Sequence, residues 1–167
     1  MTGRVMLLNG PPSAGKTTLA QAVQRVAARP LFHRSLDDFL AGYPAERRRD
    51  DPTLFDKVMT GYVRSLAELA RSGCDVVAEA VIIPERRDLY RAAFADVSVI
   101  LVGVRCALEV AQRREAQRAD RSPLDLDVPW FETVHEHEYD AEVDTTDDPP
   151  LDETATRLAA LFETRSD

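Results

Sequence analysis

The feature that most restricts the fold of this chain is the segment from Gly10 to Thr17, which reads GPPSAGKT. It matches the pattern G-x-x-x-x-G-K-[ST] of a phosphate-binding loop. An apolar, strand-like segment, Arg4–Asn9, precedes it, and Lys16–Ala28 follows with apolar residues at helical spacing. A turn between a buried strand and a helix offers backbone N–H groups and the positive helix end to phosphate oxygens. The sequence therefore predicts polyphosphate binding at this loop.

Individual residues of the loop have distinct predicted roles. Gly10 and Gly15 allow backbone conformations that a side chain would hinder. Lys16 is predicted to reach the β- and γ-phosphates of a nucleoside triphosphate, and Thr17 to place its hydroxyl on Mg²⁺. The other nucleotide contacts predicted from this segment come from Pro11, Pro12, Ser13, Ala14 and Thr18. GTPases, motor ATPases and small-molecule kinases all use such a loop, so other parts of the chain must distinguish between them.

Short apolar runs alternate with helical patterns along the rest of the 167 residues. Strands are predicted at Leu31–Leu36, Val76–Ala80, Val97–Val104 and Ala141–Val143, and helices at Thr53–Arg71, Glu85–Ala95, Ala107–Ala119, Trp130–His137 and Leu151–Phe162. Strands that alternate with helices form right-handed crossovers and a parallel sheet covered on both faces. We predict a single α/β domain, a three-layer P-loop kinase fold with a parallel sheet of about five strands.

Composition narrows the choice of partners. Cys74 and Cys106 have no paired spacing, so we expect neither a disulfide framework nor a zinc site, and we expect a cytoplasmic location. No apolar run approaches the ~20 residues of a membrane span. The formal net charge of −8 argues against nucleic acid as the main partner. The first 121 residues nevertheless carry +4 and the last 46 carry −12, so an anionic ligand is expected to meet the first part.

Carboxylates at predicted strand ends are the candidates for chemistry, because ligands of such sheets bind outside the carboxyl ends of the strands. Asp37 follows the second predicted strand, and we expect it to accept the proton of an acceptor hydroxyl as general base. The alternative is an N-cap role for Asp37 or Asp38, and Asp38 is predicted to cap or to face solvent. Glu79 is predicted to hold Mg²⁺ or to orient the acceptor; alternatively, it is simply a charged residue at the mouth of the sheet.

Arginines are concentrated after the fourth predicted strand, which Arg105 closes. Arg114, Arg118 and Arg121 share one helical face through their i, i+4, i+7 spacing. We predict that Arg118 and Arg121 form a short lid whose cations stabilise the transferring phosphoryl group. Arg113 is expected to face solvent, and a fully solvated basic face is the alternative for the whole segment.

Some residues with suggestive patterns are assigned structural roles. His135 and His137 form an H-x-H pair, but no third metal ligand stands at a suitable spacing. Four aromatic residues are expected to fill the core rather than to line an acceptor pocket: Tyr43, Phe55, Trp130 and Phe131.

Taken together, the loop, Asp37 and the arginine segment resemble the chloramphenicol phosphotransferase family of small P-loop kinases. The similar motifs are Leu8-Asn9-Gly10 with Ser13-Ala14-Gly15-Lys16, then Val102-Gly-Val-Arg105-Cys106 with Arg114-Glu115 and Arg118-Ala-Asp120-Arg121, and then Val134-His135-Glu136 with Asp144-Thr145-Thr146. The resemblance spans nearly the whole chain. It implies ATP-dependent phosphorylation of a hydroxyl on a small antibiotic-like molecule, with Asp37 as the base and Arg114 and Thr145 at the nucleotide.

The chain departs from the family pattern on the acceptor side. Residues 38–60 do not follow the pattern closely, and Glu79 stands where an Asp is expected. The leading hypothesis is an O-phosphotransferase that uses ATP and Mg²⁺ on a small hydroxyl-bearing acceptor such as chloramphenicol. One alternative is a kinase of a nucleoside, a nucleoside antibiotic or a sugar nucleotide. Another is a non-catalytic, ATP-binding regulatory module. The oligomeric state is left open.

Overall fold

The computed structural model describes residues 2–44, 50–117, 131, 133–147 and 149–164. Within these ranges one sheet is built from β1 (Val5–Asn9), β2 (Phe32–Arg34), β3 (Val76–Ala80), β4 (Val99–Arg105) and β5 (Ala141–Asp144). The spatial order is β2-β3-β1-β4-β5, which places β1 at the centre. Each neighbouring pair is parallel, as the alternation of strands and helices predicts.

Helices cover both faces of the sheet. They are α1 (Lys16–Val26), α2 (Leu36–Ala41), α3 (Leu54–Arg71), α4 (Arg87–Ala93), α5 (Leu108–Ala116) and α6 (Leu151–Thr164), with a 3₁₀ turn at Pro84–Arg86 before α4. The apolar sides of α1 and α6 pack on one face of β1 and β4. Those of α3 and α4 pack on the other face, over β1 and β3. The arrangement is the predicted three-layer α/β fold.

Hydrophobic burial explains why β1 and β3 occupy the middle of the sheet. Every residue of both strands is buried, because helices cover the two faces. Alternate residues of β1 serve the two cores: Met6 and Leu8 face α1 and α6, whereas Val5 and Leu7 face α3. Each such aliphatic side chain stabilises the fold by about 1.5–3 kcal/mol.

The strand register brings polar residues together at the carboxyl edge of the sheet. Leu8 of β1 pairs with Glu79 of β3, so Glu79 lies beside the residues that lead into the phosphate-binding loop. Arg105 of β4 pairs with Asp144 of β5 at the same edge. No helix within the described ranges is long and apolar enough to cross a membrane.

Two predicted elements differ from the structure in extent. The predicted strand Leu31–Leu36 shrinks to Phe32–Arg34, because Ser35 caps a new helix that begins at Leu36. The predicted helix Trp130–His137 is much shorter where it is described: Phe131 and Thr133 are helical, and the chain turns at residues 134–135. Trp130 lies outside the described residues. The other predicted strands and helices exist, with ends that differ by a few residues.

Candidate active site

The phosphate-binding loop joins the buried β1 to α1 and has the backbone shape that its sequence predicts. Gly15 lies in the left-handed region, with φ 82°, directly before the helix. A Cβ added to Gly10 would stand 2.2 Å from the carbonyl oxygen of Val104, so only glycine fits against β4 there. Both glycines are therefore needed for the loop to turn between the central strands and the helix.

Lys16 is held inside this loop. Its side chain is 7% exposed, and its Nζ donates hydrogen bonds to the carbonyl oxygens of Gly10, at 2.8 Å, and Pro11, at 2.7 Å. These bonds keep the ammonium group at the mouth of the loop, where it also lines a cavity of about 380 Å³. The ammonium group is thus positioned to meet phosphate oxygens that enter the loop.

A carboxylate and a hydroxyl meet beside the loop. Thr17 Oγ1 donates to Glu79 Oε2 at 2.9 Å, and His33 Nε2 lies 3.0 Å from Glu79 Oε1. Glu79 is 8% exposed, and both of its oxygens are hydrogen-bonded. The arrangement fixes the orientation of this carboxylate, in contrast to a charged residue that merely lies at the mouth of the sheet.

Tyr62 of α3 contacts the main chain at Glu79. Its hydroxyl group contacts the carbonyl oxygens of Glu79, at 2.7 Å, and Arg34, at 3.1 Å. The ring is fully buried and packs edge-on against Phe39, with centroids 5.2 Å apart. Burial raises the pKa of Tyr62 well above its usual value, so the hydroxyl remains a hydrogen-bond donor at neutral pH. Tyr62 therefore ties the carboxyl ends of β2 and β3 together.

The cavity extends from the loop toward α2, α3 and the chain after β3. Its wall beyond Lys16, Thr17 and Glu79 includes Asp37 together with apolar and aromatic side chains, among them Leu36, Leu40, Phe55, Met59 and Tyr90. The assignment of Phe55 to the core is wrong, since its side chain is 37% exposed and lines the cavity. Tyr43 is likewise exposed rather than in the core. One cavity thus connects the phosphate-binding loop with a second, mostly apolar compartment.

Asp37 and Asp38 occupy the first turn of α2 rather than the end of a strand. Ser35 is the N-cap: its hydroxyl accepts from the Asp38 N–H at 3.2 Å, and Asp38 Oδ2 accepts from the Ser35 N–H at 3.1 Å. Asp38 thus caps the helix as predicted, but from the N3 position of a capping box in which Ser35 is the N-cap. Asp37 is exposed and lines the cavity.

The predicted nucleotide contacts beyond the loop are also adjacent to it. Arg114 of α5 donates to the Thr145 carbonyl oxygen at 2.8 Å, and Thr145 Oγ1 donates to the carbonyl oxygen of Ala14 at 2.9 Å. Arg105 instead forms an ion pair with Glu142 of β5. Thr18 is exposed on the first turn of α1, and Arg113 faces solvent as expected. The predicted lid residues Arg118 and Arg121 lie outside the described residues.

His135 and His137 have separate structural partners. His135 Nδ1 lies 3.0 Å from the Tyr139 hydroxyl, and His137 Nε2 donates to the Ile82 carbonyl oxygen at 2.8 Å. Burial, assisted by the nearby Arg105 guanidinium, lowers the pKa of His135 to about 4, so it is neutral at physiological pH. Among the described residues no group of three or more His, Cys, Asp and Glu side chains could hold a metal ion.

Comparison with known proteins assigns this site to a family. The family model of chloramphenicol phosphotransferase-like proteins matches residues 3–163. The chain belongs to the chloramphenicol phosphotransferase-like family. A Mycobacterium tuberculosis protein named "Putative O-phosphotransferase" is 31% identical over 193 residues, which cover 96% of this chain and 83% of the relative. The protein is accordingly an enzyme of the P-loop phosphotransferase class, and the alternative of a non-catalytic module falls away.

Solved kinase structures share the fold of this chloramphenicol phosphotransferase-like protein. The Mycobacterium tuberculosis APS kinase, solved with AMPPNP and APS, superposes with a TM-score of 0.70 at 20% identity, over 98% of this chain and 99% of that one. Shikimate kinase from Acinetobacter baumannii, in complex with shikimate, gives a TM-score of 0.67 at 17% identity, over 97% and 94% of the two chains. At these identities the likeness concerns the fold.

His33 and Tyr62 are the site residues that sequence reasoning misses. His33 lies in a three-residue edge strand and pairs in register with Val77, so it shares a face of the sheet with Glu79, two residues further along. This register indicates that His33 lies near Glu79, but it is known only after the position of the short strand β2 has been established. Tyr62 looks like one of several apolar positions on α3, and only its hydroxyl contacts distinguish it.

Proposed function

We propose that this enzyme transfers the γ-phosphate of ATP to a hydroxyl group of a small, largely apolar acceptor. The observation that carries the proposal is the single cavity that joins Lys16 and Thr17 of the phosphate-binding loop to Asp37 and an apolar wall. A phosphoryl donor and an acceptor alcohol bound in the two parts of this cavity would meet at the loop. Positioning of this kind is the main contribution of a protein to phosphoryl transfer.

The residues near the loop suit Mg²⁺. The Thr17 hydroxyl and the Glu79 carboxylate supply oxygen donors 2.9 Å apart, and oxygen is the ligand that Mg²⁺ prefers. Thr17 would hold the ion directly, and Glu79 would hold it directly or through water. When bound, Mg²⁺ neutralises charge on the β- and γ-phosphates. Lys16 adds a second positive charge from within the loop, and Arg118 and Arg121 are proposed to add theirs from the lid.

Asp37 is the proposed general base. In the transfer step, the acceptor oxygen forms a bond to the γ-phosphorus while the bond from that phosphorus to the β,γ-bridging oxygen breaks. The acceptor hydroxyl gives its proton to the Asp37 carboxylate, and ADP leaves with the bridging oxygen. The placement of Asp37 in the first turn of α2, with its side chain at the cavity, supports this role.

The cavity wall favours an acceptor with an apolar or aromatic body. Leu36, Leu40 and Met59 supply aliphatic surface, and Phe55 supplies an aromatic ring that the Arg86 guanidinium covers at 4.9 Å. A sugar nucleotide would need polar partners for many hydroxyl and phosphate groups, and this wall offers few. An antibiotic alcohol such as chloramphenicol is therefore the first acceptor to test, ahead of nucleosides and sugar nucleotides.

The test is a transfer assay on the purified protein with Mg·ATP and a panel of acceptors. The panel contains chloramphenicol, a nucleoside, a nucleoside antibiotic, a sugar nucleotide and a buffer blank, and ADP release is followed with mass spectrometry of the products. We expect phosphorylated product from the apolar alcohol. Product from the sugar nucleotide alone would contradict the proposed acceptor class, and ADP release no faster than the blank with every acceptor would contradict the proposal.

A further inference from the structure

Ser13, in the phosphate-binding loop, has a backbone conformation that serine rarely adopts. Its φ is 59°, and it is the one non-glycine residue with positive φ in the part of the chain that the structure describes. Crowding between the side chain and the backbone disfavours this region, so surrounding contacts must hold such a residue there. The residue is also buried, at 7% exposure. Contacts from outside the loop are therefore expected at this position.

Glu115, near the end of α5, supplies one such contact. The Ser13 hydroxyl donates a hydrogen bond to Glu115 Oε2. Glu115 is 8% exposed, and its other oxygen has no hydrogen-bond partner among the described residues. Burial of an incompletely bonded carboxylate is unfavourable, and an apolar side chain would pack here without that cost. Among the described residues, the Ser13 hydroxyl is the one hydrogen-bond donor to this carboxylate.

A second connection runs in parallel from the neighbouring residue of α5. Arg114 donates to the carbonyl oxygen of Thr145, whose hydroxyl donates to the carbonyl oxygen of Ala14. Two consecutive residues of α5, Arg114 and Glu115, are thus linked to two consecutive residues of the loop, Ala14 and Ser13. The loop is held from outside by the end of this helix as well as by its own glycines.

We propose that Glu115 is a positioning residue of the phosphate-binding loop. By accepting the Ser13 hydroxyl hydrogen, its carboxylate keeps the loop in the shape that turns the backbone N–H groups toward a β-phosphate. Glu115 makes no contact with the nucleotide in this role and acts through Ser13. The inference rests on the proposed binding of ATP, although not on the identity of the acceptor.

If Glu115 maintains the shape of the loop, its loss should affect nucleotide binding selectively. A residue that only stabilises the fold would not have this selective effect. ADP carries a β-phosphate and AMP does not, whereas the base, the ribose and the α-phosphate are common to both. Loss of the Glu115 bond should therefore weaken ADP binding more than AMP binding. The ratio of the AMP dissociation constant to the ADP dissociation constant isolates the contribution of the β-phosphate.

The experiment measures that ratio by isothermal titration calorimetry for the full chain and for a set of variants. Glu115→Ala removes the acceptor of the hydrogen bond, and Ser13→Ala removes its donor. If one variant fails to fold, the other still tests the inference. We expect each to lower the ratio about tenfold, the size expected from losing one charge-assisted hydrogen bond. Glu115→Gln keeps an acceptor oxygen and should stay within about threefold of the wild type. The double variant should be no worse than either single variant.

The control is Glu109→Gln, the same chemical change at an exposed position in the first turn of α5, which should leave the ratio unchanged. An unchanged ratio in a folded Glu115→Ala or Ser13→Ala protein would overturn the inference. So would equal weakening of AMP and ADP, additive losses in the double variant, or a Glu115→Gln protein as impaired as Glu115→Ala. A wild-type protein that binds AMP and ADP equally well would overturn the inference but not the nucleotide site. One that binds neither would overturn the proposed function as well.

Discussion

His33 Nε2 lies 3.0 Å from Oε1 of Glu79, while the other oxygen of the same carboxylate accepts the Thr17 hydroxyl hydrogen. The edge strand β2 therefore determines how the acidic residue of β3 faces the loop after β1. Partners that orient an acidic ligand in this way influence the bound metal as strongly as some direct ligands do. Two strands of the sheet and the first turn of α1 thus contribute to one proposed magnesium site.

Replacement of His33 should weaken the response to Mg²⁺. In His33→Phe, Glu79 loses the donor to Oε1 and its carboxylate can rotate away from Thr17. We expect the Mg²⁺ concentration that gives half-maximal ADP binding to rise roughly 10–100-fold. Titration calorimetry of ADP at graded Mg²⁺ measures this shift. His33→Gln keeps an N–H donor and should recover most of the loss; equal Mg²⁺ dependence in the wild type and both variants would contradict the prediction.

Asp37 and Asp38 are adjacent in α2 but should respond differently to substitution. Asp37→Ala removes the proposed base, and we expect the rate of transfer to the best acceptor of the panel to fall roughly 10²–10⁴-fold. ADP affinity should stay within a few-fold, because the loop is intact. Asp38→Ala breaks the capping box instead and should cost about 1 kcal/mol of unfolding free energy with little loss of turnover. An Asp37→Ala enzyme with near-normal turnover would refute the assignment.

The sequence predicts those elements whose local residue pattern is enough to determine their place in the fold. The loop from Gly10 to Thr17 carries its own signature, and the buried strands β1 and β3 are apolar except for Asn9 and Glu79 near their carboxyl ends. The carboxyl edge of a parallel sheet then brings Glu79 next to Thr17 without further information. The same logic accounts for the success of the three-layer prediction.

Prediction fails where a few polar contacts decide between two local structures. The predicted strand continues from Leu31 to Leu36, yet the capping box that Ser35 forms with Asp38 ends the strand and starts a helix. Asp37 lines the cavity from the first turn of α2, whereas the sequence predicts it directly after a strand. Phe55 is a large apolar residue of the kind that usually fills a core. Only the three-dimensional structure shows that it lines the cavity.

Removal of the Tyr62 hydroxyl should reduce stability through two main-chain groups. Tyr62→Phe leaves the ring packed on Phe39, but the carbonyl oxygens of Glu79 and Arg34 lose a shared donor. A buried acceptor without a partner costs about 1–3 kcal/mol, which we expect as the loss in urea-induced unfolding free energy. Tyr43→Phe, at a residue 40% exposed, is the matched control and should change stability far less. Equal effects at the two tyrosines would argue against the bridging role.

Acid should destabilise the protein in part through His135. Burial lowers the pKa of His135 from an ordinary 6.5 to about 4, so the folded state keeps this ring neutral where the unfolded chain already binds a proton. The unfolded state therefore takes up more protons between about pH 6.5 and 4, and stability falls with decreasing pH across that window. The contribution is about 1.4 kcal/mol for each unit of pKa difference. His135→Asn, compared with wild type by urea unfolding at several pH values, should flatten this part of the profile; parallel profiles would show that His135 contributes nothing to it.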